Sequence, residues 1–237
     1  MDTRLPYGRV AALIPAAGAG RRMGSTTPKQ FLRIGDREIL ARTLAVFESC
    51  DAISEVWVIV ATEYTAECQK TIVERYGLQK IRGVVAGGPT RQASVWRGLQ
   101  HVSEDVELVI VHDGVRPFVT ELLICQILER AAQDGSAIAA VPLKDTLKRV
   151  SAGGEVEMTV PRDSLWRIQT PQAFQHGLLR AAFQHAWHHG VEATDEAGLL
   201  EALGHPVKIV ESFEHNIKVT TKDDLVWCET FLRYHAC

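Results

Sequence analysis

Residues 10–30 read VAALIPAAGAGRRMGSTTPKQ, and this stretch decides the fold. Its first five residues are apolar, which is typical of a strand buried on both faces of a sheet. Pro15 lacks the N–H that a β-ladder needs, so we expect the strand to end there. The small residues that follow let backbone N–H groups approach a ligand, and Gly18 and Gly20 can adopt backbone angles closed to other residues. Two arginines and a lysine come next, so the stretch predicts an anion-binding loop.

The glycine spacing distinguishes this loop from two other phosphate-binding motifs. Gly24 comes one residue too late after Gly18 and Gly20 to complete the G-x-G-x-x-G fingerprint of dinucleotide-binding proteins. The pattern G-x-x-x-x-G-K-[ST] is also absent. An ordinary strand-to-helix turn with a solvated basic patch is the simplest alternative interpretation. The two arginines and the Pro-Lys pair in one loop favour a triphosphate site instead.

Apolar strands and amphipathic helices alternate along the chain up to residue 141. The pattern predicts strands at 10–14, 56–61, 84–85, 107–112 and 137–141, and helices at 39–50, 65–76, 120–133 and from residue 90 onward. This alternation predicts an α/β fold whose mostly parallel sheet is covered by helices on both faces. Neither a repeat nor a low-complexity linker interrupts the chain, so we expect a single domain over residues 1–237.

A β-hairpin interrupts the alternation. Residues 146–150 and 156–160 are β-rich and are separated by SAGGE, which indicates a hairpin that residues 166–170 extend. Inserted at about residues 142–170, the hairpin would project as an arm. An isolated hairpin is only marginally stable, so a second copy of the chain would supply a surface for it. The alternative is that the arm folds back on its own domain.

The last part of the chain returns to helices and strands. We predict a helix at 176–189, strands at 207–210 and 217–219, and a closing helix. Thr220 or Thr221 would cap that helix, with Asp224 completing a variant of the capping box.

Composition excludes several classes of protein. The 237 residues carry a net charge of −3, which argues against a general nucleic-acid binder. Apolar runs stay well short of the ~20 residues of a membrane span, and the N-terminus lacks the apolar core of a signal peptide. The five cysteines are scattered without a C-x-x-C pair, so we expect reduced thiols in the cytoplasm.

Charged and polar residues that suit a phosphate and metal site follow the predicted strands where each strand ends. These residues are Arg22 and Lys29 after the first strand, Arg91 and Ser94 after Gly87 and Gly88, Asp113 and Arg116 after the strand at 107–112, and Lys144, Asp145 and Thr146 after the strand at 137–141. In open α/β sheets, ligands bind at this edge. Cations, one carboxylate and exposed backbone suit a nucleoside triphosphate with a hard metal ion. Asp113 is the candidate magnesium ligand, and a plain turn aspartate before glycine is the alternative.

The residues also indicate the class of reaction. Ser94 lies outside a G-x-S-x-G elbow, and the cysteines lie outside any recognisable nucleophile setting. Positioned cations with a metal ion suit phosphoryl or nucleotidyl transfer, in which alignment and charge stabilisation dominate. A phosphate oxygen of one substrate would attack the α-phosphorus of the other and release pyrophosphate. Arg22, Lys29 and Lys218 would neutralise the developing charge.

The stretch PAAGAGRRM followed by PKQ resembles the signature of the 2-C-methyl-D-erythritol 4-phosphate cytidylyltransferases, which belong to the wider nucleotidyltransferase superfamily. Further motifs in matching order are GGPTRQASV (87–95), VHDGVRP (111–117), KDTLK (144–148), TPQAF (170–174), TDEA (194–197) and NIKVT (216–220). The resemblance covers nearly the whole chain and implies a Rossmann-like nucleotidyltransferase fold. It further implies a homodimer that transfers CMP from CTP to methylerythritol phosphate, with Mg²⁺ or another divalent cation, in non-mevalonate isoprenoid precursor biosynthesis.

The resemblance also implies a role for individual residues. The catalytic cations would be Arg22, Lys29 and Lys218. The nucleotide would be bound at Ala16, Ala17, Gly18, Gly20, Gly88 and Ser94. The acceptor pocket would contain Asp113, which is also the metal ligand, with Arg116, Thr146, Thr170, Thr194 and Asp195. Arg162 matches an arm residue that the neighbouring subunit supplies.

Two departures from the family pattern leave other functions open. Gly114-Val115 stands where many members have Ala-Ala and resembles the pentitol-phosphate cytidylyltransferases, so ribitol 5-phosphate is an alternative acceptor. Pro89 has no N–H, so a ligand contact there would use its carbonyl. PAAG at 15–18 and TDEAG at 194–198 favour methylerythritol phosphate. A non-catalytic nucleotide-binding module is the alternative from another class, and it would bind CTP without releasing pyrophosphate. A dehydrogenase is a third alternative, weakened by the glycine spacing.

Overall fold

A computed structural model of the chain describes residues 7–18 and 27–235. The strands are β1 (Arg9–Pro15), β2 (Arg33–Ile34), β3 (Arg37–Glu38), β4 (Glu55–Val60), β5 (Ile81–Ala86), β6 (Val106–Val111), β7 (Ser136–Pro142), β8 (Leu147–Val150), β9 (Val156–Val160), β10 (Trp166–Gln175) and β11 (Lys208–Glu211). The helices are α1 (Ile39–Ser49), α2 (Thr65–Cys68), α3 (Arg91–Leu99), α4 (Glu121–Asp134), α5 (His176–His189), α6 (Glu196–Ala202) and α7 (Lys222–His235). Within the described part, none of the helices is long and apolar enough to cross a membrane.

Seven strands form the central sheet in the order β11-β7-β10-β6-β1-β4-β5. β1 pairs in parallel with both β4 and β6, and the pairs β4–β5 and β7–β11 are also parallel. β10 is antiparallel to its neighbours β6 and β7. The predicted mostly parallel sheet is therefore confirmed. Because β1, β5 and β6 run the same way, the segments that follow them meet at one edge.

Both faces of the sheet are buried, and β1 shows how the sequence achieves this. Val10, Ala12 and Ile14 point to the face covered by α1 and α4. Ala11 and Leu13 point to the opposite face, where α3, α5 and α6 pack. All five side chains have zero exposure. A strand enclosed on both sides needs apolar residues at every position, which explains the continuous apolar run.

The predicted hairpin forms a separate two-stranded sheet of β8 and β9. Its residues are mostly exposed, in contrast to those of the central sheet. The sequence analysis predicted that residues 166–170 extend this hairpin. They instead begin β10 in the central sheet. The physical reason lies later in the same strand, since Ala173 and Phe174 are fully buried between the two layers of helices. Their burial favours pairing with β6 and β7 over pairing with a solvated hairpin.

The prediction of a strand at 217–219 is wrong. The segment has no regular secondary structure and lies outside the sheet, and the Val219 N–H donates to the carbonyl of Val115 (2.9 Å). The Asn216 carbonyl accepts a hydrogen bond from Arg116, and Lys218 forms an ion pair with Asp113. Contacts with the site thus hold this segment in place of a strand ladder.

Candidate active site

A cavity of about 470 Å³ opens at the carboxyl ends of β1, β5 and β6. Its lining comprises Pro15, Ala16, Ala17, Gly18, Lys29, Gln30, Gly88, Pro89, Thr90, Arg91, Ser94, Asp113, Val115, Lys218 and Thr220. A cavity of about 610 Å³ lies at the opposite end of the strands beside Tyr7 and His176. The first cavity is the candidate active site because Lys29, Lys218 and Asp113 gather there.

Lys29 and Lys218 come together although they are distant in the sequence. Lys29 begins a single 3₁₀ turn, Lys29–Phe31, directly after Pro28. Its Nζ donates a hydrogen bond to the carbonyl of Val219 (3.1 Å), which places it beside the segment that carries Lys218. Both lysines, which the sequence analysis predicted as catalytic cations, line the cavity. Arg22 and Gly20 fall outside the described residues.

Asp113 is a buried carboxylate surrounded by cations. Its Oδ2 lies 3.0 Å from Lys218 Nζ and 3.3 Å from Arg116 Nε. Its Oδ1 lies 3.5 Å from Arg91 Nε. Burial alone would raise the pKa of Asp113, but Lys218, Arg91 and Arg116 outweigh burial and hold that pKa well below its usual range. Asp113 is therefore ionised at neutral pH.

A hydrogen-bond chain through His112 fixes the loop that carries Asp113. The Asp113 N–H donates to Thr170 Oγ1 (3.0 Å), and that hydroxyl lies 3.0 Å from His112 Nδ1. His112 Nε2 lies 3.1 Å from the carbonyl of Arg116, which can only accept, so Nε2 carries the proton. Burial lowers the pKa of His112 to about 4, so the imidazole is neutral. The neutral ring thus ties Thr170 to both ends of the loop 112–116.

A buried ion pair between Arg91 and Glu196 adjoins this cluster. Arg91 is the first residue of α3, and its Nη1 lies 2.8 Å from Oε1 of Glu196. Burial raises the pKa of Glu196, and Arg91 opposes that rise. Burial alone would lower the pKa of Arg91, but Glu196 and Asp113 outweigh it and raise that pKa. The sequence placed Arg91 at this edge of the sheet without a specific role and gave Glu196 none.

The signal for Glu196 in the sequence was weak. It is the first residue of α6, directly after the N-cap Asp195, whose Oδ1 accepts the N–H of Gly198 (3.0 Å). Acidic residues are common in the first turn of solvated helices, so the motif alone does not indicate a buried partner for a cation. Only the exposed fraction of 1% sets Glu196 apart.

The residues predicted to bind the nucleotide line the cavity, apart from Gly20, which falls outside the described residues. Ala16, Ala17 and Gly18 follow β1, and Gly88 and Ser94 lie opposite them. Ser94 Oγ accepts the N–H of Gly88 (2.9 Å) and donates to the carbonyl of Thr90 (2.8 Å). Ser94 therefore holds the turn that carries Gly88, in addition to lining the cavity.

The predicted acceptor residues are only partly brought together. Arg116 and Thr170 are buried beside Asp113. Asp195 caps α6 and accepts a hydrogen bond from Gln172 Nε2 (2.8 Å). The remaining three, Thr146, Arg162 and Thr194, are exposed. Of all the predicted acceptor residues, only Asp113 belongs to the described lining of the cavity. Arg162 donates to the carbonyl of Lys144 at the base of the arm.

The donor set at Asp113 fits a magnesium ion that arrives with a phosphate ligand. Across residues 7–18 and 27–235, no group of three or more His, Cys, Asp and Glu side chains is arranged to hold a metal ion. Mg²⁺ commonly uses one or two carboxylates and completes its shell with water and substrate phosphates. A single buried carboxylate at a cation-lined cavity meets that requirement.

Comparisons with known proteins agree with the geometry of the site. The family model described as IspD, 2-C-methyl-D-erythritol 4-phosphate cytidylyltransferase, matches residues 10–234. A relative of that name from Alkaliphilus metalliredigens (strain QYMF) is 45% identical over 92% of this chain and 90% of its own length. Another from Halalkalibacterium halodurans is 46% identical over 94% of this chain and 96% of its own length.

Solved structures are also similar to this chain over nearly its whole length. The crystal structure of 4-diphosphocytidyl-2C-methyl-D-erythritol synthase from Anaerococcus prevotii superposes with a TM-score of 0.83 at 32% identity, covering 95% of this chain and 96% of the other. The 2-C-methyl-D-erythritol 4-phosphate cytidylyltransferase from Thermus thermophilus has a TM-score of 0.80 at 39% identity, covering 95% and 99%. The order of motifs, the fold and these matches agree, and the chain belongs to the 2-C-methyl-D-erythritol 4-phosphate cytidylyltransferase family.

Proposed function

We propose that this chain transfers the cytidylyl group of CTP to 2-C-methyl-D-erythritol 4-phosphate and releases pyrophosphate. The observation that carries the proposal is the convergence of Lys29, Lys218 and the Asp113 cluster on one cavity beside the glycine loop. Nucleotidyl transfer needs aligned reactants and charge stabilisation, and these residues supply both. Family membership supports the same reaction.

The chemistry follows from the positions of the cations. A phosphate oxygen of the acceptor attacks the α-phosphorus of CTP, and the bond from that phosphorus to the β-phosphate bridging oxygen breaks. Lys29 and Lys218 neutralise the charge on the α-phosphate and on the leaving pyrophosphate, together with Arg22 of the glycine loop. Lysine suits this task because its ammonium is a compact charge on a flexible stem. Asp113 keeps Lys218 in place through the 3.0 Å ion pair.

We further propose that the site uses Mg²⁺ or another divalent cation. Such an ion would neutralise triphosphate charge in the bound complex. Asp113 would hold it, because an ionised carboxylate is the oxygen ligand this ion prefers. The cations around Asp113 favour the ion arriving with the triphosphate, since both carboxylate oxygens already face positive groups.

A homodimer formed through the arm is part of the proposal. Apolar side chains of β8 and β9 are exposed, including Leu147 (38%), Val150 (50%), Val156 (60%) and Met158 (45%). A two-stranded sheet with such a surface gains stability when it packs on a second body. A second copy would also bring Arg162 from the neighbouring arm toward the acceptor pocket.

Packing around Gly114 bears on the alternative acceptor. A Cβ at residue 114 would lie 2.9 Å from the Cβ of Ala16 and 2.9 Å from Cδ1 of Leu40. Glycine at this position is therefore explained by the close approach of the glycine loop and α1, without any role in choosing a pentitol phosphate. Methylerythritol phosphate is the acceptor we favour over ribitol 5-phosphate.

Pyrophosphate release tests the proposed function. The four ribonucleoside triphosphates are offered with methylerythritol phosphate or with ribitol 5-phosphate, with magnesium and with excess chelator. We expect release with CTP, methylerythritol phosphate and magnesium, and its loss with chelator. Faster turnover of ribitol 5-phosphate than of methylerythritol phosphate would identify ribitol 5-phosphate as the acceptor. Tight CTP binding without any release would instead support the non-catalytic module.

A further inference from the structure

The two carboxylate oxygens of Asp113 have unequal surroundings. Oδ2 is close to both Lys218 Nζ (3.0 Å) and Arg116 Nε (3.3 Å). Oδ1 has Arg91 Nε at 3.5 Å, which is the outer limit of a hydrogen bond. Of these two oxygens, Oδ1 is the one better placed to accept another positive ligand.

Arg91 is bound more closely by a second carboxylate. Its Nη1 lies 2.8 Å from Glu196 Oε1, which is a full-strength charge-assisted contact. The Glu196 side chain is 1% exposed, and it stands at the start of α6, which the Asp195 cap fixes. Glu196 is thus the closer of the two carboxylate partners of Arg91.

Stability alone does not account well for this ion pair. Arg91 Nη2 and Glu196 Oε2 are both buried and have no hydrogen-bond partner in the part of the chain that the structure describes. Taking charges out of water is unfavourable, and incomplete hydrogen bonding leaves part of that cost unrecovered. A pair of two well-packed apolar residues would serve stability at least equally well. Because Arg91 also contacts Asp113, the ion pair between Arg91 and Glu196 affects the surroundings of Asp113 as well as stability.

We propose that Glu196 is a positioning residue that acts through Arg91 to keep Asp113 Oδ1 available to the cation accompanying the nucleotide triphosphate. The inference rests on the proposed function, because it concerns the ion that Asp113 would hold there. When the charge of Glu196 is removed, Arg91 closes onto Oδ1 and competes with the cation. The nucleotide contacts expected at residues 16–18 lie outside this competition.

The first test is Glu196→Gln, which keeps the shape and removes the charge. Mn²⁺ binding is measured by electron paramagnetic resonance in the complex with a non-hydrolysable methylene analogue of CTP. We expect Mn²⁺ to bind about tenfold more weakly, as when an outer partner of a metal ligand is lost. The magnesium concentration for half-maximal turnover should rise by the same factor. Affinity for the analogue in chelator should stay at the wild-type value, since a loss there would indicate general damage to the site.

Two further variants separate positioning from damage. Glu201→Gln alters an exposed residue of the same helix and should leave Mn²⁺ binding unchanged. Arg91→Met combined with Glu196→Gln removes the competing guanidinium together with its partner and avoids an unpaired buried charge. We expect this double variant to regain most of the Mn²⁺ affinity that Glu196→Gln loses. Failure to regain it would overturn the assignment of the effect to Arg91.

The outcomes distinguish this inference from the proposed function. If Glu196→Gln binds Mn²⁺ like the wild type while the wild type releases pyrophosphate from CTP, the positioning role is overturned and the reaction stands. If the wild type fails to release pyrophosphate but the variants shift Mn²⁺ binding as described, the positioning role stands and the reaction is wrong.

Discussion

Lys29 and Asp113 show how single residues acquire their properties from distant segments. Lys29 lies in a short turn after the glycine loop, and its Nζ reaches the carbonyl of Val219. Asp113 would be an ordinary turn residue by its sequence context, yet Lys218 and Arg91 from distant segments, together with Arg116 of the same loop, lower its pKa. In both cases the segment 216–220 supplies a partner: Val219 accepts a hydrogen bond from Lys29, and Lys218 forms an ion pair with Asp113.

Replacement of Lys29 by alanine tests its catalytic role. We expect kcat to fall by about 100-fold or more, because a positioned cation that stabilises transition-state charge is lost. The free energy of unfolding should fall by only about 1 kcal/mol, the typical net value of one hydrogen bond. Lys222→Ala, at an exposed lysine near the same segment, is the control and should behave like the wild type. Thermal denaturation followed by circular dichroism, together with steady-state kinetics, checks both parts. A variant that unfolds, or that keeps its turnover, would contradict the catalytic role.

At the scale of elements, the N-terminus of α7 has the capping box that the sequence predicted. Asp224 Oδ2 accepts the N–H groups of Thr220 (2.7 Å) and Thr221 (2.8 Å), and the Asp224 N–H donates to Thr221 Oγ1 (3.2 Å). This is the reciprocal arrangement of a capping box. It fixes the start of α7 directly after the segment that carries Lys218, so the cap also helps to place a cation of the site.

Asp224→Asn should reduce stability in a pH-dependent way. Burial alone would raise the pKa of Asp224, but the N–H groups of Thr220 and Thr221 outweigh it and lower that pKa. A carboxyl whose pKa is lowered by folding stabilises the protein at pH values above the pKa of the unfolded state, which is about 3.9. This stabilisation is lost as the pH falls through the lower pKa of the folded state. We expect the variant to lose about 1 kcal/mol at pH 7.

The difference between wild type and Asp224→Asn should shrink below about pH 4. Urea denaturation at several pH values measures it. Asp223→Asn is the matched control, because Asp223 is exposed in the same turn, and it should cost only a few tenths of a kcal/mol. A pH-independent loss in Asp224→Asn would contradict an ionised cap.

At the scale of the whole molecule, the central sheet and the arm differ in burial. The sheet is enclosed between two layers of helices, while β8 and β9 stand apart with exposed apolar residues. Thr146 and Arg162 lie in or beside the arm and are exposed, whereas Arg116 and Thr170 are buried beside Asp113. A site completed by a second copy would explain both features.

Complementation between variants tests a shared site. Arg162→Ala and Lys218→Ala are each expected to be nearly inactive, and they are co-expressed with different tags so that heterodimers can be purified. In a shared-site dimer, one of two sites keeps both residues, so we expect about half of the wild-type turnover. Heterodimers of Lys29→Ala with Lys218→Ala are the control and should stay inactive, since both residues belong to the same body. Absence of recovery in verified Arg162→Ala heterodimers would exclude sharing through this residue.

The sequence by itself determined the class of fold and the placement of Lys29 and Asp113 at one edge of the sheet. The continuous apolar run of β1, the amphipathic helices and the Thr221–Asp224 cap are local patterns, and local periodicity and capping largely specify the type of element. Parallel strands then place their following loops at one edge, which is why Lys29 and Asp113 could be assigned to one site before the structure was known.

Only the tertiary structure decided how the remaining segments join. It placed β10 antiparallel between β6 and β7, because burial of Ala173 and Phe174 outweighs continuation of the hairpin. It held residues 217–219 by contacts with the site, and it buried Glu196 against Arg91. Such contacts join residues far apart in the chain, and their energy depends on packing and desolvation that no local pattern encodes.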